Sequence, residues 1–105
     1  MLGELEQIVL LGVLRAGADA YGVTILREIE REAGRDLTLA TIYKTLGRLE
    51  DKGYVTSRLG DPTPQRGGRR KRYYVVAPLG ERALSDALRS LERMSRGLAI
   101  GLRAP

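Results

Sequence analysis

Residues 38–55 read TLATIYKTLGRLEDKGYV, from Thr38 to Val55, and this stretch decides the fold. Thr38 stands where a helix N-cap is expected, and Gly53 stands where a helix must stop. With Ile42 at the centre of a buried face and 100° per residue, Leu39, Leu46 and Leu49 fall within about 60° of it. The opposite face then carries Ala40, Lys44, Gly47 and Asp51, flanked by Thr41, Tyr43 and Arg48. The spacing therefore predicts a helix over 39–52 with one greasy side. Its other side combines small residues, hydroxyls and cations, the types that approach DNA closely and reach its phosphates and base edges.

Downstream lie two β-rich runs, Tyr54–Leu59 and Arg72–Ala77, joined by twelve residues dense in Gly, Pro and Asp. That pattern predicts a hairpin with a long tip. Within the tip and its exit, Arg66, Arg69, Arg70, Lys71 and Arg72 surround Gly67 and Gly68. Glycines there leave backbone amides uncovered, and arginine is favoured in a narrow minor groove. The spacing of Gly60 and Gly67 is not that of a nucleotide-binding loop, because no Lys-Ser or Lys-Thr follows it. In the second run Tyr73, Tyr74, Val75 and Val76 are all apolar or aromatic, so alternation leaves the buried face open.

Upstream, Glu4–Arg15 carries apolar residues at Leu5, Ile8, Val9, Leu10, Leu11, Val13 and Leu14. That is too many for one stripe, so the helix must be covered on two sides, by its own domain and by a neighbouring subunit. Asp19 is the expected N-cap of a second helix, Tyr21–Ala33, which Gly34 closes in the left-handed conformation. The turn Gly34–Leu37 is short and holds a glycine, as a helix-turn-helix requires. Pro78 fits the first position of a fourth helix. There Leu84, Leu91 and Leu98 recur in a heptad, with Ala87, Leu88 and Met94 between them. The stripe fits either a partner subunit or the chain's own core; the greasy first helix favours a partner. Residues 97–105, with two glycines and a terminal proline, are expected to fray.

The order of helix, helix, helix, hairpin and helix defines a mostly α, α+β chain. It is a winged helix-turn-helix over residues 1–77, with a C-terminal dimerisation helix and frayed tail over 78–105. The charge agrees with a polyanion partner. Residues 1–34 hold three basic and six acidic side chains (net −3), 35–77 hold ten and four (net +6), and 78–105 hold five and three (net +2). A basic block between less basic flanks is the footprint of nucleic-acid binding.

The chain has no cysteine and no histidine. This removes structural zinc, disulfides and the commonest general base, and the sequence offers no paired catalytic constellation, so no enzyme and no cofactor is expected. No apolar run reaches the eighteen or so residues of a membrane span, and the N-terminus lacks the pattern of a signal peptide, so a cytoplasmic location is expected. A protein–protein scaffold would leave the third helix and the loop neutral, unlike this pattern. An RNA-binding reading rests only on Tyr73 and Tyr74.

Taken in order, Leu5–Leu10, Asp19–Val23, Thr41–Val55, Arg66–Tyr74 and Pro78–Gly80 closely resemble the PadR family of bacterial transcription regulators, over residues 2 to about 92. The resemblance implies a homodimer on a pseudo-palindromic operator, usually as a repressor, with the last and first helices forming the dimer interface. It further implies that Tyr43 and Lys44 contact phosphates, that Arg69–Lys71 belong to the wing, and that Tyr21 reaches the DNA backbone. The single helix after the wing places the chain with the short members. Some relatives sandwich planar drugs between tryptophans; the absence of tryptophan and phenylalanine here leaves a small-molecule effector unsupported. The expected DNA surface is thus Tyr21, Thr38, Ala40, Thr41, Tyr43, Lys44, Arg48, Arg66, Gly67, Gly68, Arg69, Arg70 and Lys71. The expected dimer surface is Leu5, Ile8, Val9, Leu84, Ala87, Leu88, Leu91, Met94 and Leu98.

Overall fold

A computed structural model describes residues 1–61 and 70–100. Helix α1 (Glu4–Ala16) leads through a 3-10 turn at Gly17–Asp19 into α2 (Gly22–Ala33) and α3 (Leu39–Asp51). Strands β1 (Val55–Leu59) and β2 (Arg72–Val76) then pair antiparallel, with Val55 opposite Val76 and Leu59 opposite Arg72. Helix α4 (Pro78–Ser95) follows, with Pro78 in its first turn as expected.

Periodicity explains the packing. Val9, Leu10 and Val13 of α1, Ile25 and Ile29 of α2, and Ile42, Leu46 and Leu49 of α3 meet in one core. The sheet adds Val55, Tyr74 and Val76, and α4 adds Leu84. Each such side chain contributes about 1.5–3 kcal/mol when fully buried. Gly12 lets α1 and α2 cross closely, since a Cβ there would lie 3.1 Å from Ile25 and 3.2 Å from Ile29. Thr45 is also fully buried on the inner face of α3, because its hydroxyl donates to the Thr41 carbonyl at 2.8 Å. The fully satisfied hydroxyl removes the usual penalty of burying a polar group.

The caps set the elements' ends. Thr38 Oγ1 accepts from the Thr41 amide at 3.1 Å, and Gly34 closes α2 at φ 63° and ψ 22°. Asp19, expected to cap α2, lies instead in the 3-10 turn, and Tyr21 occupies the N-cap position. The Thr24 hydroxyl explains the difference: it donates to the Asp19 carbonyl and accepts from the Tyr21 amide at 3.0 Å. The Asp19 backbone, and not its carboxylate, is therefore what the turn uses.

Packing on the helices resolves the face that the run at 73–76 left open. Tyr74 and Val76 point into the core, while Val75 is exposed and Tyr73 half-buried on the outer side. The Tyr74 amide donates to the Ala20 carbonyl at 2.8 Å, tying the sheet to the start of α2. At the far end, Gly80 brings α4 against the backbone of Tyr54, whose carbonyl also accepts from the Ala77 amide at 2.9 Å.

Two expectations about the dimer surface are corrected by this core. Val9 and Leu84 are buried within the chain itself, because both lie on the sides of α1 and α4 that face the chain's own core. Leu98 lies beyond the end of α4, where Arg96 has left the helical conformation. Leu5, Ile8 and Ala87 are half-buried, whereas Leu88, Leu91, Met94 and Leu98 are exposed.

Candidate nucleic-acid interface

Helix α3 carries the first part of the site. Its core side is anchored by Ile42, Leu46 and Leu49, so rotation about its axis is fixed and the outer face follows. On that face Ala40, Tyr43, Lys44, Gly47 and Arg48 are exposed and Thr41 half-buried. Nothing lies within 4 Å of the position a Gly47 side chain would take, so the helix presents a flat, open strip there. The Thr38 hydroxyl is engaged locally, as cap acceptor and as donor to Thr41 Oγ1 at 2.9 Å.

The phenol of Tyr43 reaches across to the first residue of α2, where a Cβ on Gly22 would lie 2.4 Å from its oxygen. Next to Gly22, the Tyr21 ring packs edge-on against Tyr73 of β2, centroid to centroid 5.8 Å. Lys71 sets its ammonium 4.4 Å from the Tyr21 centroid, and the Arg58 guanidinium sits 5.0 Å from that of Tyr73. Cation–π contacts hold a charge in place without neutralising it. Polar contact with Tyr21 raises the Lys71 pKa above its ordinary 10.5, so this amine stays protonated at neutral pH. A continuous run of contacts thus joins the outer face of α3, the start of α2 and the strands of the hairpin.

Gly60 ends β1 with its amide donating to the Lys71 carbonyl at 2.7 Å, and Tyr73 leaves no room for a side chain on it. Arg70 Nε donates to the Gly60 carbonyl at 2.9 Å, which fixes the root of that side chain to the hairpin. Arg72 donates to Ser57 Oγ at 3.0 Å. Arg66, Gly67, Gly68 and Arg69 lie outside the described residues.

Ion pairing sorts the cations. Arg15 pairs with Glu28 and Glu32, Arg31 with Glu28, Arg35 with Glu4, and Lys52 with Glu6. Among the described residues, Lys44, Arg48, Arg58, Arg70, Lys71 and Arg72 have no carboxylate within 4.0 Å. The cations of α3 and the hairpin thus make no direct ion pair, as is also true of Arg27, Arg82, Arg89 and Arg93 among the described residues, and Arg48 acts on Glu6 only through its charge. No group of acidic residues able to hold a metal ion occurs among the described residues. No helix there is long and apolar enough to cross a membrane.

Sequence reasoning missed Gly22, Arg58 and Tyr73 as parts of this surface. The signal for Gly22 was a glycine in the first turn of a helix, where no turn calls for one. Tyr73 and Arg58 become readable only once the strand register is known, since they face each other across the sheet.

The model of the "Transcriptional regulator PadR-like family" matches residues 10–86. An uncharacterised protein of Lysinibacillus sphaericus is 34% identical over 89 residues, covering 83% of this chain and 77% of its own. A transcriptional regulator from Clostridium thermocellum shares the fold, with a TM-score of 0.72 at 22% identity over 94% of this chain and 93% of its own. PadR of Bacillus subtilis, solved in complex with operator DNA, superposes with a TM-score of 0.66 at 27% identity. It covers 97% of this chain but only 52% of its own length. With the family model spanning most of the chain and the winged-helix fold in place, this protein is a member of the PadR-like family, whose members regulate transcription and are not enzymes.

Proposed function

We propose that the protein acts as a homodimeric, sequence-specific repressor that binds a pseudo-palindromic operator in the cytoplasm. The N-terminal part of α3 enters the major groove, with Thr38, Ala40 and Thr41 toward base edges. Tyr43, Lys44 and Arg48 contact phosphates, Tyr21 reaches the backbone beside them, and the wing with Arg66–Lys71 lies on the minor groove. Residues 1–77 form the DNA-binding unit and 78–105 the dimerisation segment, although Leu84 anchors that segment in the first unit's core. The carrying observation is the run of contacts through Tyr43, Gly22, Tyr21 and Tyr73 that joins the outer face of α3 to the hairpin, with Lys71 and Arg58 seated on the tyrosine rings. The operator complex of the Bacillus subtilis relative supports DNA as the partner.

Dimerisation is supported by apolar surface. Leu11 and Leu14 of α1 stay exposed, and Leu91 and Met94 of α4 are 59% and 78% exposed. Beside the Leu11–Leu14 ridge runs a groove of about 410 Å³ lined by Ile8, Gly12, Ile29 and Ala33, with Arg15, Glu28 and Glu32 also on its wall. Leu11 and Leu14 also share a groove with Leu88 of α4, so apolar side chains of both helices meet at the surface.

The test is duplex binding at several salt concentrations. Lys44→Ala weakens binding to every sequence alike and lowers the slope of log K against log salt by about 0.9 per subunit, about 1.8 for the dimer. An unchanged slope and affinity contradict the proposal.

A further inference from the structure

We infer that Gly22 is a positioning residue for Tyr43: the missing side chain at the start of α2 is the seat that aims the Tyr43 phenol. The inference rests on the DNA-binding reading above and adds a residue to its machinery. Glycine at this position has no backbone explanation. The left-handed glycines of the described residues are Gly17, Gly34, Gly53 and Gly97, and Gly22 is not among them. It is the first helical residue of α2, where alanine is the better helix former. The three atoms nearest to an added methyl group all belong to Tyr43: an ideal Cβ would lie 2.4 Å from the phenol oxygen, 2.5 Å from Cζ and 2.9 Å from Cε1.

The neighbour is also the kind that can yield. Tyr43 is 45% exposed and belongs to no core cluster, so the ring can swing away without opening the interior. Carbon contacts settle near 3.5 Å, so a methyl on residue 22 drives the phenol away by roughly 1 Å. A contact group displaced that far loses the geometry on which a phosphate hydrogen bond depends. The substitution thus separates two quantities that usually fall together: fold stability holds or rises while DNA affinity drops.

The experiment uses the full chain with Gly22→Ala, Tyr43→Ala and the double variant. Affinity is read by fluorescence anisotropy on a random-sequence duplex of about 30 base pairs at low salt, long enough for two half-sites. Stability is read by thermal melting, and the seat itself by the NMR shift of the Gly22 α-protons without DNA. The expected results are an upfield ring-current shift at Gly22 that vanishes in Tyr43→Ala, and a melting temperature for Gly22→Ala at or above wild type. Both single variants lose about tenfold in affinity, and the double variant loses no more than either, because both remove one contact.

Wild-type affinity in Gly22→Ala, wild-type affinity in Tyr43→Ala, losses that multiply, or a marked fall in melting temperature for Gly22→Ala each overturn the inference alone. So does an unshifted Gly22 resonance, which needs no variant to fold. A wild-type chain that binds no duplex overturns the DNA-binding reading and Gly22's role with it, while the ring-current shift still reports whether the phenol sits there.

Discussion

Glu6 is the one buried carboxylate among the described residues, and it shows how single side chains divide the labour between holding the fold and meeting a partner. Burial pushes its pKa up, but hydrogen bonds from Lys52 at 2.7 Å and from the Gly3 amide, with the charges of Lys52 and Arg48, bring it below the ordinary 4.5. A lowered folded-state pKa means the pair stabilises fully above about pH 4.5. The contribution fades as acid protonates the folded carboxylate. Because Lys52 is 39% exposed, solvent screening limits the effect to about 1 kcal/mol. We expect Glu6→Gln to melt below wild type at neutral pH, with the gap closing as pH falls beneath 4.5; a gap independent of pH would contradict this. Much at this scale was legible in the sequence. Lys44 sits opposite Ile42, with Arg48 flanking that face, by helical arithmetic alone. Gly22 was not legible, because its constraint comes from a residue twenty-one positions away.

Elements were easier to read than their contacts. The run from Thr38 to Gly53 states its own cap, buried stripe and stop, and the helix is found there. Pro78 and Gly34 announce one helix start and one helix end in the same local way. The start of α2 was misplaced because the Thr24 hydroxyl competes for the backbone that an Asp19 cap would have used. The inward face of β2 was unreadable because four apolar residues in a row carry no alternation, and only packing on the helices, which buries Tyr74 and Val76, settles it. The junction of the hairpin with α4 is the strictest contact between elements. A Cβ on Gly80 would lie 2.1 Å from the Tyr54 carbonyl oxygen, and backbone cannot step aside as a side chain can. Gly80→Ala is therefore expected to cost about 2–3 kcal/mol, read as a lower urea midpoint at unchanged slope. A midpoint within error of wild type would mean that α4 docks more loosely than described.

At the scale of the whole molecule, the sequence conveyed an excess of apolar side chains without saying which of them the chain covers itself. Counting along α1 and α4 could not separate Val9 and Leu84, which fill the chain's own core, from Leu11, Leu14, Leu91 and Met94, which face outward. That division depends on how the two helices cross, a property of the packed molecule. The outward set argues for a second copy, and two copies related by a twofold axis would present two α3 helices to adjacent major grooves, about 34 Å apart. Hydroxyl-radical footprinting of the promoter region ahead of the protein's own coding sequence tests this most directly. Two protected patches are expected on one face of the duplex, about one helical turn apart, both lost in Leu91→Lys at concentrations where wild type saturates. A single patch that persists in Leu91→Lys, or no protection at any concentration, would contradict the twofold arrangement.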